Sequence, residues 1–194
     1  MEKFLVKKPG STSKKVKTTS DDTDTSDGKI SASGSGDELD HSKSEREKAP
    51  GPGFQLKEVK GDLFAGPPSD SLAHCISADV RMGKGIATIF KDKFGGVKEL
   101  LSQGVKPGGV AVLKRDSRYI YYMVTKEKFW QKPTYDTVRK SLQATMEHCR
   151  QHGVRALSMP RIACGLDGLK WDRVRQIICE IFTDSNVSVT IFTL

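Results

Sequence analysis

The sequence predicts an α/β fold in which a mixed, mostly parallel sheet is flanked by helices on both faces. Three observations carry this prediction. Strand-like apolar segments alternate with segments whose apolar residues recur at helical spacing. Nearly all apolar residues fall within residues 54–194, a length that can bury a sizeable core. One pair of strands is joined by a short polar turn at Asp116-Ser117, which predicts one antiparallel hairpin in the sheet.

The first half of this region predicts four strands and one helix. Residues 54–59 alternate apolar and polar side chains, as a half-buried edge strand does. Residues 71–76 form a short apolar run that predicts the second strand. Residues 85–94 carry four apolar side chains at helical spacing, and residues 110–113 and 119–124 are the two strands of the hairpin.

The second half predicts two helices and two strands. Residues 134–152 place five apolar side chains on one helical face, and Gly153 suits the end of that helix. Residues 154–159 predict a strand, residues 172–182 repeat the helical pattern, and residues 187–192 predict the last strand. Strands separated by helices in this way form a largely parallel sheet that is covered on both faces.

Residues 1–53 differ in composition from the rest of the chain. They contain 14 Ser or Thr, six Gly and one aromatic residue, Phe4. Because so little apolar surface cannot offset the entropy of ordering, we predict a disordered extension that ends at the Pro/Gly-rich residues 49–53. Residues 54–194 are then the folded domain. Residues 14–17, Lys-Lys-Val-Lys, fit a short nuclear-import pattern, and the alternative is a solvating tail.

Composition excludes several classes of protein. No apolar run approaches the 18 residues of a membrane span, so we expect neither a signal peptide nor a membrane partner. The four cysteines, Cys75, Cys149, Cys164 and Cys179, form no CxxC pair. We therefore expect free thiols in a reducing compartment, and not a disulfide scaffold or a zinc ribbon. No cluster of His, Cys and carboxylates has metal-ligand spacing, so we expect no metal.

The charge is unevenly distributed along the chain. The formal net charge is +8, and residues 1–53 hold ten basic and ten acidic residues, so the whole excess lies on residues 54–194. A basic domain attracts polyanions such as nucleic acid or phosphorylated ligands, whereas the alternative is an ordinary solvated surface rich in Lys. The sequence lacks a surface repeat of aromatic and basic residues, so we do not expect direct nucleic-acid binding.

Four unusual segments follow predicted strands, at residues 61–64, 74–87, 125–126 and 160–168. In open α/β sheets, ligands bind beyond the carboxyl ends of the strands, where these segments converge. Gly83-x-Gly85 precedes a helix, as does the small-residue loop 163–168. Glycine lets backbone N–H groups approach an anion at a helix N-terminus, so two such loops could hold a pyrophosphate. The alternative is an ordinary turn, and neither loop matches a Walker A or G-x-G-x-x-G pattern.

Two side chains in these segments are candidates for chemistry. Lys126 follows the apolar strand 119–124, and desolvation at the rim of the sheet would make its amine a better nucleophile. Asp167 lies in a glycine-bracketed loop that could aim its carboxylate into a cleft. The alternatives are a solvated lysine and a helix-capping aspartate. For His74, Cys75 and Trp171 we expect packing roles.

The same region contains a series of motifs that together are highly specific: VKGDLF, DSLAHCIS, RMGKGIA, FGGV, AVLKRD, RYIYY, TK, KPTY, LSMPRI, CGLD and the terminal FTL. Through these motifs residues 54–194 closely resemble the macrodomain family, and within it a group of small ADP-ribose glycohydrolases that are also O-acetyl-ADP-ribose deacetylases. Residues 1–53 lie outside the resemblance. The resemblance implies a macrodomain-like sheet, in agreement with the pattern of elements.

The resemblance also implies roles for individual residues. The lysine at Lys126 would attack the anomeric carbon of the distal ribose, and Asp167 would act as acid and base. Asp62 and Leu63 would contact the adenine end of ADP-ribose. Further ligand-binding positions are implied in the two loops that would wrap the pyrophosphate and distal ribose, and at single positions elsewhere: Ser77, Gly83, Gly85, Ile86, Thr125, Pro160, Arg161, Ile162, Ala163, Cys164, Gly165, Leu166 and Leu194.

This sequence departs from the family in two places. Many water-activating macrodomains carry an Asn-rich segment where this chain has residues 74–77, so their mechanism is not transferred. Close relatives usually have Gly where this chain has Ala163. We expect one methyl group near a phosphate to loosen the ligand without abolishing binding, provided that the φ angle of Ala163 is negative.

The resemblance implies a hydrolase without a cofactor that removes mono- or terminal ADP-ribose from Glu or Asp side chains. Its implied partners are ADP-ribose, O-acyl-ADP-ribose and ADP-ribosylated proteins, with poly(ADP-ribose) as a further candidate. We expect a monomer that resides in the nucleus, with some in the cytoplasm, and takes part in the DNA damage response. The alternative function is a non-catalytic reader of ADP-ribosylated proteins, which needs neither a nucleophile nor a base.

Overall fold

The computed structural model describes residues 53–194. The predicted disordered extension and the nuclear-import pattern fall on residues that lie outside the described part of the chain. Within it, no helix has both the length and the apolar character needed to cross a membrane.

The described residues contain six strands and four α-helices, joined by loops. The strands are β1 (Leu56–Lys60), β2 (Ser71–Ser77), β3 (Val110–Arg115), β4 (Arg118–Lys126), β5 (Ala156–Pro160) and β6 (Ser188–Thr193). The helices are α1 (Ile86–Phe94), α2 (Val97–Ser102), α3 (Tyr135–Gln151) and α4 (Trp171–Phe182). A short 3₁₀ turn, Leu63–Ala65, follows β1.

The six strands form one mixed sheet in the order β1-β6-β5-β2-β4-β3. Every neighbouring pair is parallel except β3 and β4, which form the predicted antiparallel hairpin. The turn of that hairpin contains Asp116 at φ +52°, a conformation that Asp tolerates better than most residues. The predicted fold class is therefore confirmed. The carboxyl ends of β1, β2, β4, β5 and β6 all point to one edge of the sheet.

Alternating side chains of each strand enter two separate cores. Along β2, Leu72 and Ile76 pack with α1 and α2 on one face, whereas Ala73 packs with α3 and α4 on the other. Helices therefore cover both faces, which explains why the central strands have near-continuous apolar sequences. The two cores hold the sheet rigid behind the edge where the strand ends meet.

Helix α2 and the 3₁₀ turn are the elements that the sequence patterns did not predict. Helix α2 has six residues, too few for a clear periodicity, and begins after Gly96 at φ +72°. A Cβ at Gly96 would lie 2.6 Å from Cδ1 of Leu113 and 2.5 Å from a guanidinium nitrogen of Arg115, so both side chains would have to move, and the positive φ would strain any L-residue. Elsewhere the observed boundaries differ from the predicted ones by at most two residues. Helix α3, for example, begins after Thr134, whose hydroxyl accepts a hydrogen bond from the N–H of Thr137.

Candidate functional site

Two adjoining cavities open at the carboxyl edge of the sheet. One of about 840 Å³ is bordered by the turn after β1, by Trp171 and by the terminal residues Phe192–Leu194. We call it the apolar cavity. The other, of about 680 Å³, contains Lys126 and is called the lysine cavity. The two share five lining residues: Gly85, Ile86, Pro160, Arg161 and Gly165.

Most residues singled out from the sequence line one of these cavities. The apolar cavity is lined by Asp62, Leu63, Cys164 and Leu194. The lysine cavity is lined by Ser77, Gly83, Lys126, Ile162, Ala163, Leu166 and Asp167. The five shared residues were singled out as well. Thr125 lines neither cavity and is 1% exposed.

Lys126 and Asp167 meet inside the lysine cavity. The Nζ atom of Lys126 donates a hydrogen bond to Oδ1 of Asp167 over 2.5 Å, and both side chains are 15% exposed. Lys126 is the last residue of β4, so the rigid sheet fixes where its side chain begins. Asp167 lies in the β5–α4 loop just before Gly168, whose φ of +77° turns the loop back towards α4. A lysine and a carboxylate in direct contact can exchange a proton.

The two glycine-containing loops approach each other where the cavities join. Gly85 precedes α1 with φ +62°, and no side chain caps the N-terminus of this nine-residue helix. A Cβ at Gly85 would lie 3.7 Å from Cδ1 of Leu166 in the opposite loop. The first N–H groups of a helix have no intrahelical partner, so they can bind an anion placed there.

Backbone strain concentrates in the same two loops. Four non-glycine residues of the described chain have positive φ, and three of them, Val80, Met82 and Ala163, lie in the β2–α1 and β5–α4 loops. This conformation costs an L-residue about 1–2 kcal/mol. Such strain is typical of functional loops, because the surrounding structure must hold it in place.

Ala163 has a φ of +56°, so the condition of a negative φ, under which the methyl group was expected to spare ligand binding, is not met. The reason is the tight path of the β5–α4 loop, in which the carbonyl of Ala163 accepts a hydrogen bond from the N–H of Leu169 over 2.9 Å. The methyl group thus adds backbone strain at this position.

We expect Ala163→Gly to stabilise the protein by up to about 1 kcal/mol. Relief of the left-handed strain outweighs the greater backbone entropy of glycine in the unfolded chain. Thermal unfolding should show a rise in Tm of about 3 °C. The control is Ala144→Gly within α3, which should lower stability by about 1 kcal/mol. Equal destabilisation by the two substitutions would contradict strain at Ala163.

The thiols and imidazole near Lys126 are unsuited to nucleophilic catalysis. His74 is completely buried and stacks on Phe90 with ring centroids 3.9 Å apart. Burial lowers the pKa of His74 to about 3. Burial, together with the charge of Asp167, raises the pKa of the Cys75 thiol to about 12. Burial raises the pKa of Cys164 to about 11. The two thiols are therefore protonated and poor nucleophiles near pH 7, and complete burial keeps the His74 ring from a substrate, in line with the packing roles expected for His74 and Cys75.

Arg161 and Trp171 form part of the boundary between the cavities. Glu58 of β1 accepts hydrogen bonds from Arg161 over 2.9 Å and from Arg175 over 3.1 Å. The hydrogen bond from Arg161 lowers the pKa of the Glu58 carboxyl. The Arg161 guanidinium also lies 5.3 Å from the centroid of the Trp171 ring. Trp171 packs against the core, as expected, and in addition forms a wall of the apolar cavity.

The segment that follows β4 also belongs to the site, although no sequence pattern predicted it. Phe129, Trp130, Gln131 and Lys132 all line the outer part of the lysine cavity. The ammonium of Lys132 donates a hydrogen bond to the carbonyl of Leu166, which ties this segment to the β5–α4 loop. The sequence feature that could have identified this segment is the pair of adjacent aromatic residues, Phe129 and Trp130, among several lysines.

Known proteins with similar sequences and structures are consistent with this site. A family model described as Macro domain matches residues 73–178. The ADP-ribose glycohydrolase OARD1 of Bos taurus is 58% identical over 142 residues, which cover 73% of this chain and 93% of that protein. The Homo sapiens protein of the same name is equally similar. Among solved structures, the macrodomain of Thermus aquaticus DarG matches with a TM-score of 0.67 and 26% identity, over 73% of this chain and 100% of that one.

Proposed function

Because the chain belongs to the Macro domain family, we propose that it is an ADP-ribose glycohydrolase. It is a hydrolase that removes mono- or terminal ADP-ribose from the Glu and Asp side chains of modified proteins. One observation carries this proposal beyond the 58% identity to glycohydrolases: the contact between Lys126 and Asp167 inside a cavity at the carboxyl edge of the sheet. A reader that only binds ADP-ribose needs no such pair.

The two cavities suit the two ends of ADP-ribose. The adenine would occupy the apolar cavity, between the turn at Asp62-Leu63 and Leu194. The pyrophosphate would cross the shared boundary at Gly85 and Gly165, where backbone N–H groups are accessible. This orientation would place the distal ribose in the lysine cavity next to Lys126.

The proposed reaction uses Lys126 as nucleophile and Asp167 as acid and base. Asp167 takes a proton from the Lys126 ammonium, and the neutral amine attacks the anomeric carbon of the distal ribose. A C–N bond forms while the C–O bond to the side-chain carboxyl breaks, and this carboxylate leaves with the electron pair. The nitrogen is then a secondary ammonium, and Asp167 passes its proton to the departing carboxylate. Asp167 next takes a proton from the water that adds to the anomeric carbon while the C–N bond breaks. The electron pair of that bond returns to the nitrogen, Asp167 reprotonates the Lys126 amine, and free ADP-ribose leaves. No cofactor takes part.

We expect cleavage to depend on the linkage between ADP-ribose and the protein. A carboxylate is a good leaving group, so a Glu-linked substrate should release ADP-ribose. A Ser-linked substrate would have to expel a far more basic alkoxide and should persist. The test is to incubate the protein with matched Glu-linked and Ser-linked ADP-ribosylated peptides and to quantify released ADP-ribose. Equal turnover of both linkages would overturn the assignment to esters.

We extend the proposal to O-acyl-ADP-ribose. When the acyl group is on the anomeric oxygen, the same attack of Lys126 on the anomeric carbon expels it as a carboxylate. ADP-ribosylated proteins and the ends of poly(ADP-ribose) are the proposed macromolecular partners, bound by a monomer.

We also propose nuclear residence and a role in the DNA damage response. The support is the basic segment Lys14–Lys17. Imaging a tagged chain with and without residues 1–20 tests this segment, and we expect the deletion to reduce nuclear accumulation. Unchanged accumulation would mean that a chain of 21.4 kDa enters without it.

A further inference from the structure

Exposed apolar side chains cluster at the entrance of the lysine cavity. Seven large apolar side chains in the described part of the chain are well exposed, and three of them, Phe129, Trp130 and Leu166, line this cavity. Trp130 is 66% exposed and Leu166 is 70% exposed. We call these three residues the mouth ledge. Clustered apolar exposure of this kind marks an interaction site, whereas single exposed apolar residues are ordinary.

Hydrogen bonds and ring contacts hold the mouth ledge in place. The N–H of Lys128 donates to Oε1 of Gln131 over 2.8 Å, and the N–H of Gln131 donates to the carbonyl of Lys128 over 3.0 Å, which closes the turn. The N–H of Phe129 donates to Oδ2 of Asp79 over 3.3 Å, and the guanidinium of Arg81 lies 4.0 Å from the Phe129 ring centroid. A preformed ledge loses little entropy when it binds a partner.

The lysine cavity is strongly cationic. Its lining contains one carboxylate, Asp167, and five cationic side chains: Arg81, Lys84, Lys126, Lys132 and Arg161. Lys126 is paired with Asp167, and Arg161 with Glu58. Arg81, Lys84 and Lys132 form no ion pair with any described carboxylate. Charge complementarity therefore favours an acidic partner at this entrance.

We propose that the mouth ledge binds the peptide that carries the modified carboxyl group and selects acidic sequences around it. This inference rests on the proposed function. If the scissile bond lies beside Lys126, the bound peptide chain must extend from the cavity to solvent through the entrance, past Trp130. An aromatic ring there covers the apolar parts of the peptide, while Arg81, Lys84 and Lys132 attract its acidic side chains.

The ledge is less suited to single-stranded nucleic acid. Binding of successive bases needs several free aromatic faces along a basic groove. Here Arg81 lies over Phe129, and the Phe129 ring meets Trp130 edge-on at 4.9 Å, which leaves Trp130 as the most exposed ring. A single platform suits one contact with a peptide.

The test compares three substrates. Two are synthetic peptides with one Glu-linked ADP-ribose, flanked either by Asp and Glu or by Ser and Gly. The third is O-acetyl-ADP-ribose, whose acetyl group is too small to reach the ledge.

For Trp130→Ala we expect kcat/KM on the acidic peptide to fall about tenfold, mainly through KM, with O-acetyl-ADP-ribose hydrolysis unchanged. Wild type should prefer the acidic to the neutral peptide. The control is Leu101→Ala, which removes an exposed apolar side chain that lines neither cavity.

Three results would overturn the proposal. An equal loss on O-acetyl-ADP-ribose would place Trp130 in the nucleotide site, and unchanged hydrolysis of the acidic peptide would remove its role. A single-stranded DNA oligomer that competes better than the unmodified acidic peptide would assign the ledge to nucleic acid. If wild type cleaves no substrate, the proposed function fails separately. Calorimetry then still decides whether Trp130→Ala weakens binding of the modified peptide more than that of ADP-ribose.

Discussion

Replacing Lys126 with Ala should abolish hydrolysis of Glu-linked ADP-ribose while leaving the affinity for ADP-ribose within about tenfold, or about 1.4 kcal/mol. The rate should fall by at least about 10³-fold, because the thiols of Cys75 and Cys164 are protonated near pH 7 and His74 is completely buried, so none of these three neighbours replaces the amine. Binding should persist, since the adenine and phosphates are expected to contact cavity walls and loop backbone that Lys126 does not supply. Released ADP-ribose and calorimetry measure the two effects.

Lys126→Arg is the matched control for this prediction. It keeps a cation beside Asp167, whose side chain is only 15% exposed and would otherwise lose its partner. A guanidinium does not deprotonate to a nucleophile, so Lys126→Arg should also be inactive although its charge pairing is retained. Circular dichroism should show that both variants are folded. Full hydrolysis by either variant would contradict covalent catalysis and would leave Asp167 as a base that activates water.

Asp167→Ala should lower the rate of hydrolysis by about 10²–10⁴-fold, the usual contribution of a general acid or base. ADP-ribose should bind at least as tightly as to wild type, because the carboxylate no longer repels the pyrophosphate. The intact mass after incubation with substrate reports which step needs the carboxylate. An adduct that accumulates on Lys126 would show that Asp167 is needed to release the product. The absence of an adduct would show that Asp167 is needed for the attack.

The control for this variant is Asp136→Ala, which removes an exposed carboxylate from the first turn of α3 and should leave hydrolysis unchanged. Loss of ADP-ribose binding by both Lys126→Ala and Asp167→Ala, with their folds intact, would mean that the two residues hold the ligand. That result would favour the reader over the enzyme.

The order along the chain of the six strands and of helices α1, α3 and α4 was predictable, because each of these elements shows its apolar pattern in the sequence. The carboxyl ends of parallel strands lie at one edge, so Lys126 and the loop with Asp167 could be expected to converge although they are 41 residues apart in sequence. Their direct contact depends on the turn at Gly168 and on how far the lysine side chain reaches. Sequence patterns specify neither.

Other features could not be read from local patterns. The positive φ of Ala163 follows from the path of a loop fixed at both ends, and alanine itself favours negative φ. The position of Trp130 depends on contacts of its turn with Asp79 and Arg81, which lie some 50 residues earlier in the chain. Helix α2 begins after Gly96, where a positive φ and the proximity of Leu113 and Arg115 favour glycine. In each case tertiary contacts override a weak local signal.

Chemical trapping of the lysine adduct tests the central claim most directly. The wild-type protein is incubated with a Glu-linked ADP-ribosylated peptide in the presence of borohydride, which reduces the imine that forms when the ribose ring opens on the lysine nitrogen. Peptide mapping by mass spectrometry should then locate a reduced ADP-ribose adduct on Lys126 and inactivation in proportion to its yield. Complete turnover without any adduct on Lys126, under conditions in which borohydride traps a known lysine imine, would contradict the account.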